Sequence, residues 1–146
     1  MILQGFIHIT GRDKCYRPII SVRPKIIMDM SPAPTVDEVI SAQVIVICYA
    51  LDYMMKDGKV ENLMLICDMY GLSAFNINYN LMKGVVQYSA SAMKGRARNM
   101  FIMNAPKTFS VIWKVVRYFL DENTANKFQI TSQSENPALT ALVHPQ

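Results

Sequence analysis

Three apolar segments with the character of strands alternate with helical segments, and this alternation constrains the fold more than any other feature. The first segment, VENLMLICD (60–68), is a nearly continuous apolar run bounded by turn residues, which is typical of a strand buried on both faces. Two shorter ones follow, NMFIMN (99–104) and KFQIT (127–131). Strands separated by helices are usually parallel and joined by right-handed crossovers. The order predicts an α/β fold with a mostly parallel sheet and helices packed against it.

An antiparallel pair of strands is predicted ahead of this unit. Residues 2–9 and 18–27 are rich in β-branched side chains and flank the polar turn TGRDKCYR. Pro24 lies inside the second segment and has no amide hydrogen to donate. The second strand is therefore expected to be irregular or to lie at an edge.

A helix over residues 35–56 is predicted from its start signal. Thr35 and Glu38 form a capping box, in which each side chain accepts a hydrogen bond from the backbone of the other residue. The middle of this segment, VIVICYAL, is apolar all round, which predicts a helix largely covered by protein. Helical spacing predicts two further helices, over residues 75–93 and 109–120, and the tail has room for one short helix.

Length and composition fit one domain with a sizeable core. The chain has 146 residues, of which 51% are hydrophobic. Its longest unbroken apolar run, residues 44–51, is far shorter than the roughly 18 residues of a membrane span. The first ten residues, MILQGFIHIT, lack a basic leader and a small-residue cleavage site. We therefore expect a soluble cytoplasmic protein.

Residues that would support metal or nucleophilic chemistry are scarce. Cys15, Cys48 and Cys67 are widely spaced with no CxxC pair, and His8 and His144 lie at opposite ends of the chain. The sequence also contains neither GxGxxG nor GxxxxGK[ST], the usual phosphate-binding loops. We expect no metal site and no nucleotide cofactor, and an enzyme acting on a small acid lacks a convergent acid, base or nucleophile.

The segment NAPKTFSVIWKVVRYFLDENTANKF (104–128) carries the most informative apolar pattern. Pro106 interrupts the hydrogen bonding of the preceding strand, because proline has no amide hydrogen. Phe109, Trp113, Val116 and Leu120 then recur at helical spacing and give one bulky apolar face. Such a face covers either the protein's own core or a greasy ligand.

The same segment resembles the CRAL-TRIO lipid-binding domain, the family of secretory phosphatidylinositol and phosphatidylcholine transfer proteins. The matched positions are Asn104-Ala-Pro106, Phe109-x-x-x-Trp113, Arg117-Tyr-Phe119-Leu120 and Thr124-x-x-Lys127-Phe128. Upstream, GRDKCYRPI is similar to the family's Gly-x-Asp-x-x-Gly-Arg-Pro hairpin, and ICDMYGLS is similar to its central strand ending in Asp-x-x-Gly. The resemblance covers nearly the whole chain.

The resemblance implies a single lipid-binding domain over residues 1–146, in which a sheet floor is roofed by helices around a hydrophobic pocket. The helix after the Asn-x-Pro strand would be a movable gate, with gate and pocket residues Phe109, Trp113, Val116, Phe119 and Leu120. The implied protein is a monomer and not an enzyme. It binds one phospholipid, phosphatidylinositol or phosphatidylcholine, and no cofactor, and it moves the lipid between membranes through transient contact with their surfaces.

In the phosphoinositide-binding branch, the Thr and Lys of Thr-x-x-Lys contact the inositol phosphate. The resemblance therefore implies headgroup-binding roles for Thr124 and Lys127. A hydroxyl donor and an ammonium charge both suit a phosphate. Asp121 could accept hydrogen bonds from inositol hydroxyls, or it could only terminate the preceding helix.

Departures from the family pattern keep a second interpretation open. A Tyr-Pro-Glu-Arg-like turn is replaced by MKGRARNM, with Gly95 near the expected glutamate, and Tyr16 replaces the hairpin glycine. The family's usual N-terminal helical region and C-terminal end are not found in the sequence. These departures favour a non-transferring lipid-sensing or protein-interaction module of a larger regulatory protein.

The altered turn also brings together three basic side chains. Lys94, Arg96 and Arg98 form either a patch that attracts an anionic membrane surface or an ordinary solvated turn. The net charge of +4 suits contact with anionic surfaces. Because no nucleic-acid-binding motif accompanies these charges, we expect no nucleic-acid partner.

Overall fold

The computed structural model describes residues 4–73 and 77–143, which form a five-stranded sheet with helices on both sides. The strands are β1 (Ile7–Arg12), β2 (Pro18–Val22), β3 (Leu63–Asp68), β4 (Ala97–Met103) and β5 (Phe128–Ile130). They lie side by side in chain order, with β1 antiparallel to β2 and all later pairs parallel. This arrangement confirms the predicted α/β class and the mostly parallel sheet.

The helices are α1 (Pro24–Met28), α2 (Val36–Met54), α3 (Tyr79–Ala92), α4 (Phe109–Tyr118), α5 (Glu122–Ala125) and α6 (Pro137–Leu142). The capping box that starts α2 is confirmed: the Glu38 carboxylate accepts from the Thr35 amide at 2.8 Å, and the Glu38 amide donates to the Thr35 hydroxyl at 3.3 Å. No helix among residues 4–73 and 77–143 combines the length and apolarity needed to cross a bilayer.

Both predicted N-terminal strands had wrong boundaries. Residues 4–6 form a turn, and β1 then continues to Arg12, across a register shift at Gly11. The prediction of a second strand to residue 27 is wrong beyond Val22, because Pro24 begins α1. Proline suits the first helical turn, where its fixed φ is already helical and no amide hydrogen is needed. The first strand was predicted to begin at residue 2 and one helix at residue 75. Residues 2, 3, 75 and 76 lie outside the described residues.

The prediction that protein covers most of α2 is also wrong. Its side chains Ile45, Tyr49 and Tyr53 are 61%, 55% and 74% exposed. The helix packs by one face only, against β1, β2 and α3, which leaves the opposite face in solvent. On that face the rings of Tyr49 and Tyr53 have centroids 5.0 Å apart.

Two apolar layers cover the two faces of the sheet. Because the parallel strands are neighbours in chain order, right-handed crossovers place α2, α3 and α4 on the same face. On the other face, α6 packs through Leu139 and Leu142 on a cluster that includes Met64 and Phe101. The Lys14 amide donates to the Leu142 carbonyl at 2.8 Å and ties α6 to the β1–β2 turn.

The β1–β2 turn is organised around one buried carboxylate. Asp13 is 3% exposed; its Oδ1 accepts from the amides of Cys15 and Arg17 at 2.8 and 2.9 Å. Its Oδ2 pairs with Arg17 Nε at 2.6 Å. Tyr16, which stands where the resembled motif has glycine, has a left-handed φ of 62°. The turn therefore keeps the backbone shape of a glycine hairpin although a tyrosine is present.

Candidate ligand-binding cavity

A cavity of about 210 Å³ lies between the sheet and the layer of α2, α3 and α4. Side chains that point from the strands toward the helices form its floor, including Ile20, Leu65, Met100 and Ile102. Side chains of α3, including Leu81, Met82, Val85 and Val86, form much of its roof. An apolar cavity of about 150 Å³ is known to hold benzene, whereas sites for drug-sized ligands occupy roughly 300–1,000 Å³. In this conformation the cavity suits a small apolar group, and a two-chain lipid requires it to expand.

Helix α4 closes one side of the cavity with an apolar inner face. Phe109, Ile112 and Val116 are buried on this face and line the cavity. The sequence analysis did not single out Ile112, which is only 1% exposed. Its spacing of three and four residues from the other two was the signal that could have found it. Leu120, just after the helix, also lines the cavity as predicted.

Two of the predicted gate residues do not line the cavity. Trp113 is half-buried and packs its ring on Phe109 and Phe128, with centroid distances of 6.3 and 4.9 Å. Phe119 lies beneath the ammonium of Lys83, which is 5.5 Å from the ring centroid. Trp113 thus packs α4 against the edge strand β5.

The N-terminus of α4 is weakly anchored. Thr108 occupies the N-cap position with helical backbone angles and makes no side-chain capping bond. By contrast, α2 and α3 begin with side-chain caps from Thr35 and Asn78. A cap of this kind is worth about 1 kcal/mol, so the first turn of α4 lacks a stabilising contact that α2 and α3 have.

The predicted headgroup residues meet at the β5 edge of the cavity. Thr124 and Lys127 both line it, and the half-buried Lys127 donates from Nζ to the Ala97 carbonyl at 2.9 Å. The Thr124 hydroxyl donates to Asp121 Oδ2 at 2.7 Å, and Asp121 also caps α5 by accepting from the Thr124 amide. An ammonium has three N–H donors, so Lys127 can still bind an anion.

The predicted basic patch is exposed and lies near these residues. Lys94, Arg96 and Arg98 occupy the turn after α3 and the start of β4. Arg96 also donates to the Glu61 carbonyl at 3.4 Å. Hydrogen bonds from the Thr124 hydroxyl and amide hold the pKa of Asp121 below its usual value, and the charge of Lys94 adds to this effect. The patch and the headgroup candidates therefore share one end of the domain.

Two polar groups in the cavity wall were missed by the sequence analysis. Gln43 is 6% exposed, and its Oε1 accepts from the Ser89 hydroxyl at 3.1 Å. Both residues line the cavity. Gln43 lies four residues from Val39 and from Ile47 on the buried stripe of α2. A polar residue in the middle of an apolar stripe was the available signal.

Cys67 contributes an uncharged thiol to the wall. It is half-buried and lines the cavity, and burial raises its pKa to about 12, with a further contribution from the charge of Asp68. The thiol therefore stays protonated at neutral pH and behaves as a small apolar group. No cluster of three or more His, Cys, Asp or Glu side chains suited to a metal ion occurs in the described part of the chain.

The mostly parallel sheet and its crossover helices enclose a largely apolar cavity, the kind of space that suits a lipophilic ligand. The family model of the CRAL/TRIO domain matches residues 3–146, and the chain belongs to this family. Membership confirms the resemblance found in the sequence and implies binding or transfer of a lipophilic ligand.

The fold is similar to that of Sfh5, a solved structure, with a TM-score of 0.76 at 14% sequence identity. The similarity covers 89% of this chain and 48% of the Sfh5 chain. This chain thus spans about half the length of Sfh5. At this level of identity, the similarity shows the fold alone.

Proposed function

We propose that this domain binds one phosphatidylinositol molecule and carries it between membranes as a monomeric, non-catalytic cytoplasmic protein. The observation that carries the proposal is the polarity of the cavity wall, which is mostly apolar along the sheet and α3 but carries Thr124 and Lys127 at the β5 edge. The acyl chains would occupy the apolar part. The inositol phosphate would meet the ammonium of Lys127, the hydroxyl of Thr124 and the carboxylate of Asp121.

The outer surface of α4 supports transient membrane contact. Val111 and Tyr118 are 57% and 84% exposed, and Lys114 and Arg117 are exposed beside them. A helix with an apolar inner face and an outer face that mixes bulky apolar and basic groups is suited to the boundary between headgroups and acyl chains. Lys94, Arg96 and Arg98 would add attraction to an anionic leaflet, about 1 kcal/mol for each charge near the surface.

Lipid exchange requires α4 to move, because the cavity of about 210 Å³ is too small for two acyl chains. A buried methylene group gains about 0.8 kcal/mol relative to water, but a bilayer offers a similar apolar environment. The protein therefore gains little by binding the chains and acts mainly by lowering the barrier to exchange. The uncapped start of α4 is where this opening would begin.

Transfer of fluorescent phosphatidylinositol and phosphatidylcholine between vesicles tests the headgroup assignment. A hydrogen bond to a charged group is worth about 1.5–3 kcal/mol, so we expect Lys127→Ala to lower phosphatidylinositol transfer roughly 10- to 100-fold. Phosphatidylcholine transfer should change much less. Lys59→Ala, at an exposed lysine in the turn after α2, is the matched control. Unchanged phosphatidylinositol transfer by Lys127→Ala would remove the headgroup role.

The gate assignment has its own test. Trp113 holds α4 against Phe128, and an aromatic pair is worth about 0.5–1.5 kcal/mol beyond its buried area. Trp113→Ala should therefore accelerate release of a preloaded fluorescent lipid by roughly 2- to 10-fold. Ser110→Ala, at an exposed position of the same helix outside the proposed membrane-contact surface, serves as control. Equal release rates in Trp113→Ala and wild type would contradict a gate at α4.

A second candidate is a non-transferring lipid-sensing or protein-interaction module, and the size and self-pairing of the site favour it. The cavity is small, Lys127 is bonded to Ala97, and the Thr124 hydroxyl is bonded to Asp121. Native mass spectrometry of the purified protein separates the two candidates. A stoichiometric co-purifying phospholipid would support the carrier, and a persistent ligand-free mass after incubation with mixed vesicles would support the module.

A further inference from the structure

The amide of Gln43 is an unusual group for the wall of an apolar cavity. Gln43 lies on α2, which packs against β1 and β2, whereas Lys127 directly precedes β5 at the opposite edge of the sheet. Its side chain is 94% buried, since its exposure is 6%. The amide and the headgroup candidates therefore come from different structural elements.

Only one half of this amide is paired. The Ser89 hydroxyl donates to Oε1 at 3.1 Å, and no other side chain or backbone group in residues 4–73 and 77–143 forms a hydrogen bond with the Gln43 side chain. Among these residues, every side-chain nitrogen or oxygen without accessible surface has a hydrogen-bond partner. Since Nε2 of Gln43 has no partner among them, it must have accessible surface. Gln43 lines the cavity, and we infer that the accessible surface of its Nε2 faces this space. Nε2 therefore offers two N–H donors to a ligand.

We propose that Gln43 donates a hydrogen bond from Nε2 to an acceptor oxygen on the bound lipophile, and that Ser89 holds the amide in the orientation that allows it. The proposal rests on the proposed function only in taking this cavity as the ligand site. A buried donor without an acceptor costs about 1–3 kcal/mol, so a ligand that supplies an oxygen at this position is preferred over a plain hydrocarbon.

The position of Gln43 specifies where that oxygen must be. The Gln43 amide contacts Ser89 of α3, whereas Lys127 Nζ is bonded to the Ala97 carbonyl at the start of β4. The ligand would carry a hydroxyl or carbonyl oxygen within its apolar body, apart from any group bound at Lys127. A ring alcohol and an oxygen-bearing acyl chain share this chemistry.

Two matched pairs of probes test the proposal and distinguish the two sources of the acceptor oxygen, a ring alcohol and an oxygen-bearing acyl chain. The first pair is cholestanol and cholestane, which differ by the ring hydroxyl; the second is 12-oxooctadecanoic acid and octadecanoic acid, which differ by a chain carbonyl. Binding of each is measured by displacement of a fluorescent fatty acid from the wild-type protein. We expect the oxygen-bearing member of one pair to bind about tenfold more tightly, and the pair that discriminates identifies the source.

Variants assign the discrimination to the amide. Gln43→Met keeps the length of the side chain and removes its polar atoms, so the ratio of affinities within the discriminating pair should fall to about one. Ser89→Ala, which frees the amide to rotate, should lower the ratio in part. Gln87→Met, at an exposed position of α3, is the matched control and should retain the wild-type ratio.

Because the readout is a ratio, a general loss of affinity in a variant does not imitate the expected result. Equal affinities within both pairs for the wild-type protein, or an unchanged ratio in Gln43→Met, would overturn the role of Gln43 while leaving the cavity as a ligand site. Failure of the wild-type protein to bind the fluorescent fatty acid and all four probes would overturn the ligand site and the role of Gln43 together.

Discussion

The β1–β2 turn and the cavity each contain one buried polar side chain, and the two differ in how completely they are paired. Asp13 receives three N–H donors on its two carboxylate oxygens. Gln43 lines the cavity and accepts one bond on its oxygen, and its nitrogen has no hydrogen-bond partner among the described residues. A fully paired buried group fixes a backbone shape, whereas a half-paired one beside a cavity remains available to a ligand. The difference indicates which region of this domain is structural and which is adapted for binding.

The largest expected effect follows from removing Asp13. Asp13→Ala leaves Arg17, whose side chain is 15% exposed, without its ion-pair partner. It also leaves the amides of Cys15 and Arg17 without their acceptor. Breaking a buried ion pair costs about 3–5 kcal/mol, and we expect a loss of this size in the free energy of unfolding measured with urea. Gln43→Met should change it by less than about 1 kcal/mol. Comparable losses of unfolding free energy in the two variants would contradict the difference in pairing between Asp13 and Gln43.

The second effect concerns the thiol inside the cavity. The pKa of Cys67 is raised to about 12 from 9.0, so its reactive thiolate is roughly 1,000-fold rarer at pH 8 than that of an unperturbed cysteine. Iodoacetamide labelling followed by mass spectrometry should show Cys67 reacting at least about 100-fold more slowly than the exposed Cys15 and Cys48. Similar rates for all three would indicate that the cavity stands open to water.

The same thiol predicts a pH dependence of stability. The unfolded state releases this proton near pH 9 and the folded state only near pH 12, so the folded state binds more protons between these values. Stability should therefore fall as pH rises through this interval, and Cys67→Val should lessen the fall. An identical decline in both proteins would remove Cys67 as a cause.

A third effect tests the contact that sets the spacing of the cavity roof. A Cβ added at Gly84 of α3 would lie 2.7 Å from Cγ1 of Val36 on α2. Gly84→Ala should therefore destabilise the protein by about 1–3 kcal/mol, although alanine favours a helix by about 1 kcal/mol. Val36→Ala should rescue it, since the clash is with a stiff β-branched side chain. A gain in stability for Gly84→Ala alone would contradict this close packing.

The smallest effect lies in the turn. Tyr16 holds a left-handed backbone at a cost of about 1–2 kcal/mol, and glycine would remove that cost but lose about 0.5–1 kcal/mol to its greater freedom when unfolded. Tyr16→Gly should thus stabilise the protein by at most about 1.5 kcal/mol in thermal or urea denaturation. Tyr118→Gly, at another exposed tyrosine but inside α4, should have the opposite sign.

The sequence predicted best what is decided by neighbouring residues. The capping box of Thr35 and Glu38 spans four positions, and it marked the start of α2 correctly. The α/β class and the mostly parallel sheet followed from the spacing of apolar runs. The family resemblance placed Thr124 and Lys127, and the structure puts both in the cavity wall, while their contacts with a headgroup stay predictions.

Features that depend on distant residues were not predictable in the same way. Gln43 and Ser89 are 46 positions apart and meet only because α2 and α3 pack together. The strand propensity of residues 24–27 was overridden by Pro24 at a helix start. The aromatic outer face of α2 escaped prediction because an apolar sequence does not show which of its sides will meet the sheet.

The hydrogen bonds between the β1–β2 turn and α6 affect the order in which parts of the chain can fold during synthesis. Lys14 donates to α6 from both its amide and its ammonium, and the ammonium bond joins positions 127 residues apart. Within the described residues it is α6 that packs on the sheet face around Met64 and Phe101, so during synthesis this packing forms only once α6 has been made. A nascent chain that pauses before α6 would present this face to chaperones, even though its cavity side was already assembled.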